Sequence, residues 1–293
     1  MKQNLEQVLK SQLDSVKNFE KASVKGTATG SFNILDLDMA FSVLDAAESL
    51  QTPVIIGIAS RHFDDIRAPL LVPSLLKAIE SVSVPAVLHL DHAAPDQFDM
   101  IKQALDLGFT SIMIDGSLLP LDDNIEITHK VVELSHRYDA SVEGEIGGIA
   151  GEEGVADTQQ ESPEDIPYTD VTEAQRFISA TNVDALAIAV GTAHGIYKSE
   201  PHINFDVIKE IASLTDIPLV MHGATGVSDS AIQKSITLGI RKINYFSGLL
   251  QTAMNKIRSY NETSNDYHSF KNTVSAQWQK VITEQMKLFA NTP

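Results

Sequence analysis

Three histidines, His92, His194 and His222, each stand at or just past the end of an apolar run, and an aspartate, Asp91, directly precedes the first. Neutral imidazole is a zinc ligand, and three protein ligands with a fourth position open is the arrangement of a catalytic zinc site. An acid beside such a centre suits proton transfer to a substrate held there. Asp115 ends another apolar run, Glu143 and Glu145 lie in a further one, and Asn244 sits in "RKINYF". Of the nine histidines, the other six (His62, His89, His129, His136, His202 and His268) read as hydrogen-bonded rim or surface residues, with His89 filling space against a helix or the core. One histidine at a strand end carries the same bland reading. Three on one rim would need three coincidences.

The elements that must bring them together are legible as alternation. The apolar runs "TGSFNIL" (29–35), "PVIIGIA" (53–59), "PAVLHLD" (85–91), "SIMID" (111–115), "SVEGEIG" (141–147), "ALAIAV" (185–190), "PLVMH" (218–222) and "RKINYF" (241–246) predict strands. Helical patterns lie between them, near 39–50, 71–82, 96–107, 121–138, 172–180, 204–214 and 228–238. Strand–helix alternation implies a parallel sheet with crossover helices, and eight strands is the number that closes a (β/α)8 TIM barrel. An open dinucleotide-binding sheet would carry a glycine fingerprint after its first strand, and none follows here. The expectation is one α/β domain over 1–293: a barrel over about 29–248, an N-terminal helix across its base and C-terminal helices over about 249–289. In such a barrel the chemistry sits at the C-terminal ends of the strands, which is where these polar residues fall.

Composition narrows the partners. Lys and Arg number 22 against 39 Asp and Glu, a formal charge of −17 that repels nucleic acid and anionic membrane surfaces. An anionic substrate must then be captured locally, by backbone N–H groups, a metal or a few placed cations. With no cysteine, metal ligands are limited to His, Asp and Glu. The polar N-terminus lacks a signal-peptide core, and no apolar run reaches the roughly 18 residues of a membrane span, so a cytoplasmic protein is expected. "HGATGVSD" (222–229) runs into a helix, and its N–H groups would cradle a phosphate there or simply form a strand-to-helix turn. The acidic, glycine-rich stretch 147–167 reads as a lid or a disordered loop.

In order, "AVLHLDHA", "SIMIDGS", "VEGEIGGIAGEE", "GTAHGIY", "PLVMHGATG" and "GIRKIN" resemble the class II, zinc-dependent ketose-bisphosphate aldolases, nearer the tagatose- than the fructose-bisphosphate type, over about residues 29 to 247. The resemblance implies zinc on His92, His194 and His222, with Asp115 and Glu145 as an alternate metal position or outer support. It implies that Asp91 is the acid and base at the aldehyde oxygen, and that Glu153 moves a proton at the carbon freed by cleavage. It further implies that Asn33, Gly195, Gly223, Ala224, Thr225, Asn244, Tyr245, Phe246 and Ser247 receive the phosphorylated ketose, with Na+ or K+ near the phosphate. A homodimer or homotetramer is implied as well.

Two departures bear on the substrate. Where the family carries a small or acidic residue two positions past the asparagine, then Thr and an acid, this chain has Phe246, Ser247 and Gly248. Where the family has Pro-Arg to bind a second phosphate, the matching stretch reads Ser264-Asn265, which removes a bidentate cation. A ketose 1-phosphate, or a substrate with a neutral or differently charged tail, is expected instead of a bisphosphate, unless Arg61 or Lys271 takes the role. Cleavage to dihydroxyacetone phosphate and an aldehyde is the expected reaction. A metal-dependent hydrolase on the same barrel and a non-catalytic sugar-phosphate-binding or assembly subunit remain open beside it.

Overall fold

A computed structural model describes residues 3–8, 26–149, 168–197, 199–260 and 266–290. Eight parallel strands close on themselves in sequence order: β1 (Thr29–Asn33), β2 (Val54–Ala59), β3 (Ala86–Ala93), β4 (Ser111–Ile114), β5 (Ser141–Ile146), β6 (Ala185–Ile188), β7 (Leu219–Met221) and β8 (Ile240–Asn244). Helices α1 (Leu37–Leu50), α2 (Ala68–Ser81), α3 (Phe98–Leu107), α4 (Leu121–His136), α5 (Val171–Thr181), α6 (Phe205–Leu214), α7 (Asp229–Leu238) and α8 (Ser247–Ser259) follow them in turn, and α9 (Tyr267–Phe289) ends the described chain. The expected (β/α)8 barrel is present. Strands this apolar form it because each is covered on both faces, by the barrel interior and by the helix layer.

Side-chain alternation sorts the interior into levels. At the base, Leu5 and Val8 of a short N-terminal helical turn pack with Ile55, Val87, Met113, Ala185, Ala187 and Val220. Backbone bonds from Gln3 N–H to the Ala86 carbonyl (3.1 Å) and from Glu6 N–H to Ser141 Oγ (3.0 Å) seat this plug. The rest of the expected N-terminal helix lies outside the described residues. Two residues above Val87 on β3 comes His89, and two above that Asp91, so the interior turns polar toward the mouth. The C-terminal helix α9 lays Val274, Trp278, Ile282, Met286 and Phe289 in one buried stripe. Trp278 Nε1–H donates to the Leu249 carbonyl at 2.9 Å, and Ala28 N–H to the Phe289 carbonyl at 2.9 Å, so this helix braces both α8 and the entry to β1.

Candidate active site

The site begins with a fault in β3. That strand pairs regularly with β4 through His89–Ser111 and Leu90–Ile112, then resumes at Ala93–Ile114, so two residues, Asp91 and His92, oppose one. His92 takes up the slack with a φ of +51°, a left-handed conformation that costs a non-glycine residue about 1–3 kcal/mol and persists where the surroundings impose it. In a regular strand, consecutive side chains point to opposite faces. The bulge lets Asp91 and His92 both serve the barrel mouth. Ser60 Oγ, just past β2, donates to the His92 carbonyl and pins the bulge from the neighbouring strand.

The three histidines meet. Ring centroids of His92 and His222 are 4.6 Å apart, those of His92 and His194 4.8 Å, and those of His194 and His222 5.8 Å. Outer carboxylates orient two of the rings: His92 Nδ1–H donates to Asp115 Oδ2 at 3.1 Å, and His222 Nε2–H to Glu143 Oε1 at 2.9 Å. The inner nitrogens, His92 Nε2 and His222 Nδ1, then face one another at 3.0 Å. Two lone pairs so close require a cation between them. Burial opposes a charged His92, but Asp91, Asp115 and Glu145 outweigh it and push its pKa up to about 10. Burial pulls His222 down to about 4 against its bond to Glu143. One charged and one neutral ring share the gap, and the donor set fits a divalent metal in place of that proton. Carboxylate–histidine pairs of this kind fix ring tautomers at metal sites.

Asp91 lies fully buried beside the cluster. Asn33 Nδ2 donates to its Oδ2 at 2.6 Å, and Asn244 Nδ2 lies 3.2 Å from its Oδ1 and 3.1 Å from His222 Nδ1. Burial alone would raise its pKa, yet His92, His89, His222 and Lys242 hold it well below the usual carboxylate range. Glu145 behaves oppositely: burial and the nearby Asp115 raise it well above that range. With His92 and Asp115 it forms a second group whose ligand atoms are close enough to share a metal.

Beside the histidines, two loops converge. Gly195 and Gly223 have φ of +101° and +67°, and a Cβ on Gly223 would overlap the Ala193 carbonyl. Gly248 N–H, at the start of α8, donates to Thr225 Oγ1 at 3.2 Å, joining the β8–α8 turn to the β7–α7 loop. Ala224, Thr225 and Ser247 are buried along this seam. Tyr197 staples it: its hydroxyl accepts from Ala193 N–H (2.6 Å) and lies 2.8 Å from the Gly223 carbonyl, to which it can donate. Glycine-shaped loops running into helix N-termini are anion cradles.

The sequence profile described as fructose-bisphosphate aldolase class-II matches residues 14–292. The chain belongs to that family. This class II aldolase is 42% identical over 221 residues to a 6-phospho-5-dehydro-2-deoxy-D-gluconate aldolase of Shouchella clausii, covering 74% of this chain and 72% of the relative. It is 36% identical over 272 residues to an enzyme of the same name from Halalkalibacterium halodurans, covering 92% and 91%. A fructose-bisphosphate aldolase of Staphylococcus epidermidis is 38% identical over 228 residues, covering 76% and 77%. Among solved structures, the YdjI aldolase of Escherichia coli K12 superposes with a TM-score of 0.84 at 28% identity, over 99% of this chain and 97% of that one. The expected carbon–carbon lyase class holds. The family is metal-dependent, and the described residues offer the histidine-rich cluster for the ion. No helix among the described residues is long and apolar enough to cross a membrane.

In this aldolase the named residues converge with one qualification. Asn33, Asp91, His92, Asp115, Glu145, His194, His222 and Asn244 come to one mouth. Tyr245 and Phe246, expected with Asn244 and Ser247 at the phosphate end, pack their rings against other aromatic side chains. Lys242 and Asn244 take the inward positions of β8, so Tyr245 turns out to meet Phe32 edge-on, with centroids 6.5 Å apart. Phe246 is buried with its ring against His62, at 6.3 Å between centroids. Glu153, Ser264 and Asn265 lie outside the described residues. Lys271 is held by Asp38 at 2.9 Å on the helix layer, whereas Arg61 stands two residues past the end of β2. His89, read as a space-filler, and Lys242, not singled out, both belong to the polar level under the site. So does the role of Gly57, whose missing side chain leaves the room that Asn33 fills. A lone glycine inside "VIIGIA" was the available signal for the last.

Proposed function

We propose that this chain is a zinc-dependent aldolase that cleaves a 6-phospho-5-keto-2-deoxy sugar acid to dihydroxyacetone phosphate and a three-carbon aldehyde acid. Counted from its phosphate end, such a substrate is a ketose 1-phosphate with a carboxylate tail, which agrees with the absent Pro-Arg pair. Relatives named for a phosphorylated deoxygluconate support the tail.

The observation that carries the reading is the bulge at Asp91–His92, which sets a buried, ionised carboxylate beside three convergent imidazoles. His92, His194 and His222 would hold the zinc, which when bound supplies Lewis-acid polarisation of the ketone and stabilisation of negative charge. Asp91 takes the proton from the hydroxyl that becomes the aldehyde oxygen and returns it in condensation. Asn33 and Asn244 keep that carboxylate aimed. Glu153 would give a proton to the carbon freed when the carbon–carbon bond breaks. Gly195, Gly223, Ala224, Thr225 and Ser247 would hold the phosphate, with a monovalent cation beside it, and Arg61 would meet the far carboxylate. Asp91→Ala tests the assignment: cleavage should be lost while zinc remains bound, and unchanged turnover would remove Asp91 from the role.

A further inference from the structure

Below the three histidines a single cation connects the two sides of the site. Lys242, on β8, is fully buried, and its stem crosses the barrel to Glu143 on β5. Its Nζ donates to Glu143 Oε2 at 2.7 Å, while the other oxygen of the same carboxylate accepts from His222 Nε2–H at 2.9 Å. Nζ also lies 3.5 Å from His89 Nε2, which is itself 3.5 Å from Asp91 Oδ1. The far side of that ring is fixed by Ser111 Oγ, 2.7 Å from Nδ1.

We infer that Lys242 is a positioning residue for the metal: its Nζ grips one oxygen of Glu143 so that the other stays aimed at His222 Nε2–H, which holds His222 with Nδ1 turned into the site. The physical argument is one of unpaired charge. A carboxylate left buried without its cation turns away from its place or is rehydrated at the expense of the packing around it. A displaced Glu143 no longer orients His222 N–H, and outer partners of metal-binding histidines typically account for about 10–100-fold in metal affinity. Packing does not require an ammonium here. The level below is filled by Val87, Met113 and Val220 with the plug of Leu5 and Val8, so an apolar stem of the same length would fit as well. The inference rests on the reading of His92, His194 and His222 as metal ligands, and its test separates the two.

The experiment is a zinc titration of the full chain against a competing chelator, with unfolding followed in parallel. The variants are Lys242→Met, Glu143→Gln and the two combined. Wild type should bind one zinc tightly. Lys242→Met should bind it about 10–100-fold more weakly, and the double variant, which buries neither charge unpaired, should recover most of that loss. A structural role for the lysine stem would give no such recovery, because both variants change the same stem. If Lys242→Met does not fold, the double variant decides: tight zinc binding by it supports the inference, and binding as weak as expected for Lys242→Met overturns it. Wild-type affinity in folded Lys242→Met also overturns it. Absence of zinc binding by the wild type would instead remove the ligand assignment beneath it.

Discussion

Asn33 Nδ2 stands 2.6 Å from Asp91 Oδ2, and it can do so only because the neighbouring strand carries Gly57, where a Cβ would overlap Asn33 Oδ1. The aim of the proposed acid and base is therefore set by a residue that touches no substrate. Gly57→Ala should displace Asn33 while the fold survives, since overpacking of this size costs about 1–3 kcal/mol. The measurement is kcat beside thermal unfolding. A misplacement of about 1 Å at a reacting group can lower the rate about 100-fold, so kcat should fall far more than stability predicts. An unchanged kcat would show that Asn33 does not aim Asp91.

Arg61 is expected to separate substrates by the charge at their far end. Arg61→Gln should raise KM for a substrate with an anionic tail by about 10–100-fold, the range for losing one charge-assisted hydrogen bond. KM for a ketose 1-phosphate with an uncharged tail should change little. Equal changes for both would place Arg61 elsewhere in the reaction.

Tyr197 joins the loops after β6 and β7 through one hydroxyl. Tyr197→Phe leaves the Ala193 N–H without that acceptor, which should destabilise the fold by about 1–3 kcal/mol. Because the same loops carry Gly195 and Gly223, KM should rise for every phosphorylated substrate alike. A variant that is less stable but keeps its KM would confine Tyr197 to folding.

Asp115 holds His92 from outside. Asp115→Asn keeps an acceptor near His92 Nδ1 but removes the charge, and zinc affinity should fall by about 10-fold or more, as for other outer partners of metal-binding histidines. The check is again a competition titration, with turnover at saturating zinc to separate lost affinity from lost catalysis.

Much of this was open to reading in the chain alone. Strand runs such as "VIIGIA" and "AVLHLD" are buried on both faces and so read as continuous apolar stretches, and the polar residues that end them mark the catalytic rim. Periodicity could not supply the bulge. Strict alternation puts Asp91 and His92 on opposite faces, and only the register slip against β4 turns both inward. Lys242 and His89 escaped because charge inside an apolar run has no local signature of a partner. Glu143 lies 99 positions from Lys242 in sequence, and only barrel closure brings them together. The outward turn of Tyr245 follows from the parity of β8 once Asn244 is placed inside.

The most direct test is release of dihydroxyacetone phosphate from a panel: a 6-phospho-5-keto-2-deoxy sugar acid, ketose 1-phosphates with neutral tails, and 1,6-bisphosphates, each with and without a chelator. Release should be fastest from the sugar acid, stop with the chelator and return when zinc is restored. Release that persists in chelator, or that favours the bisphosphates, would contradict the account.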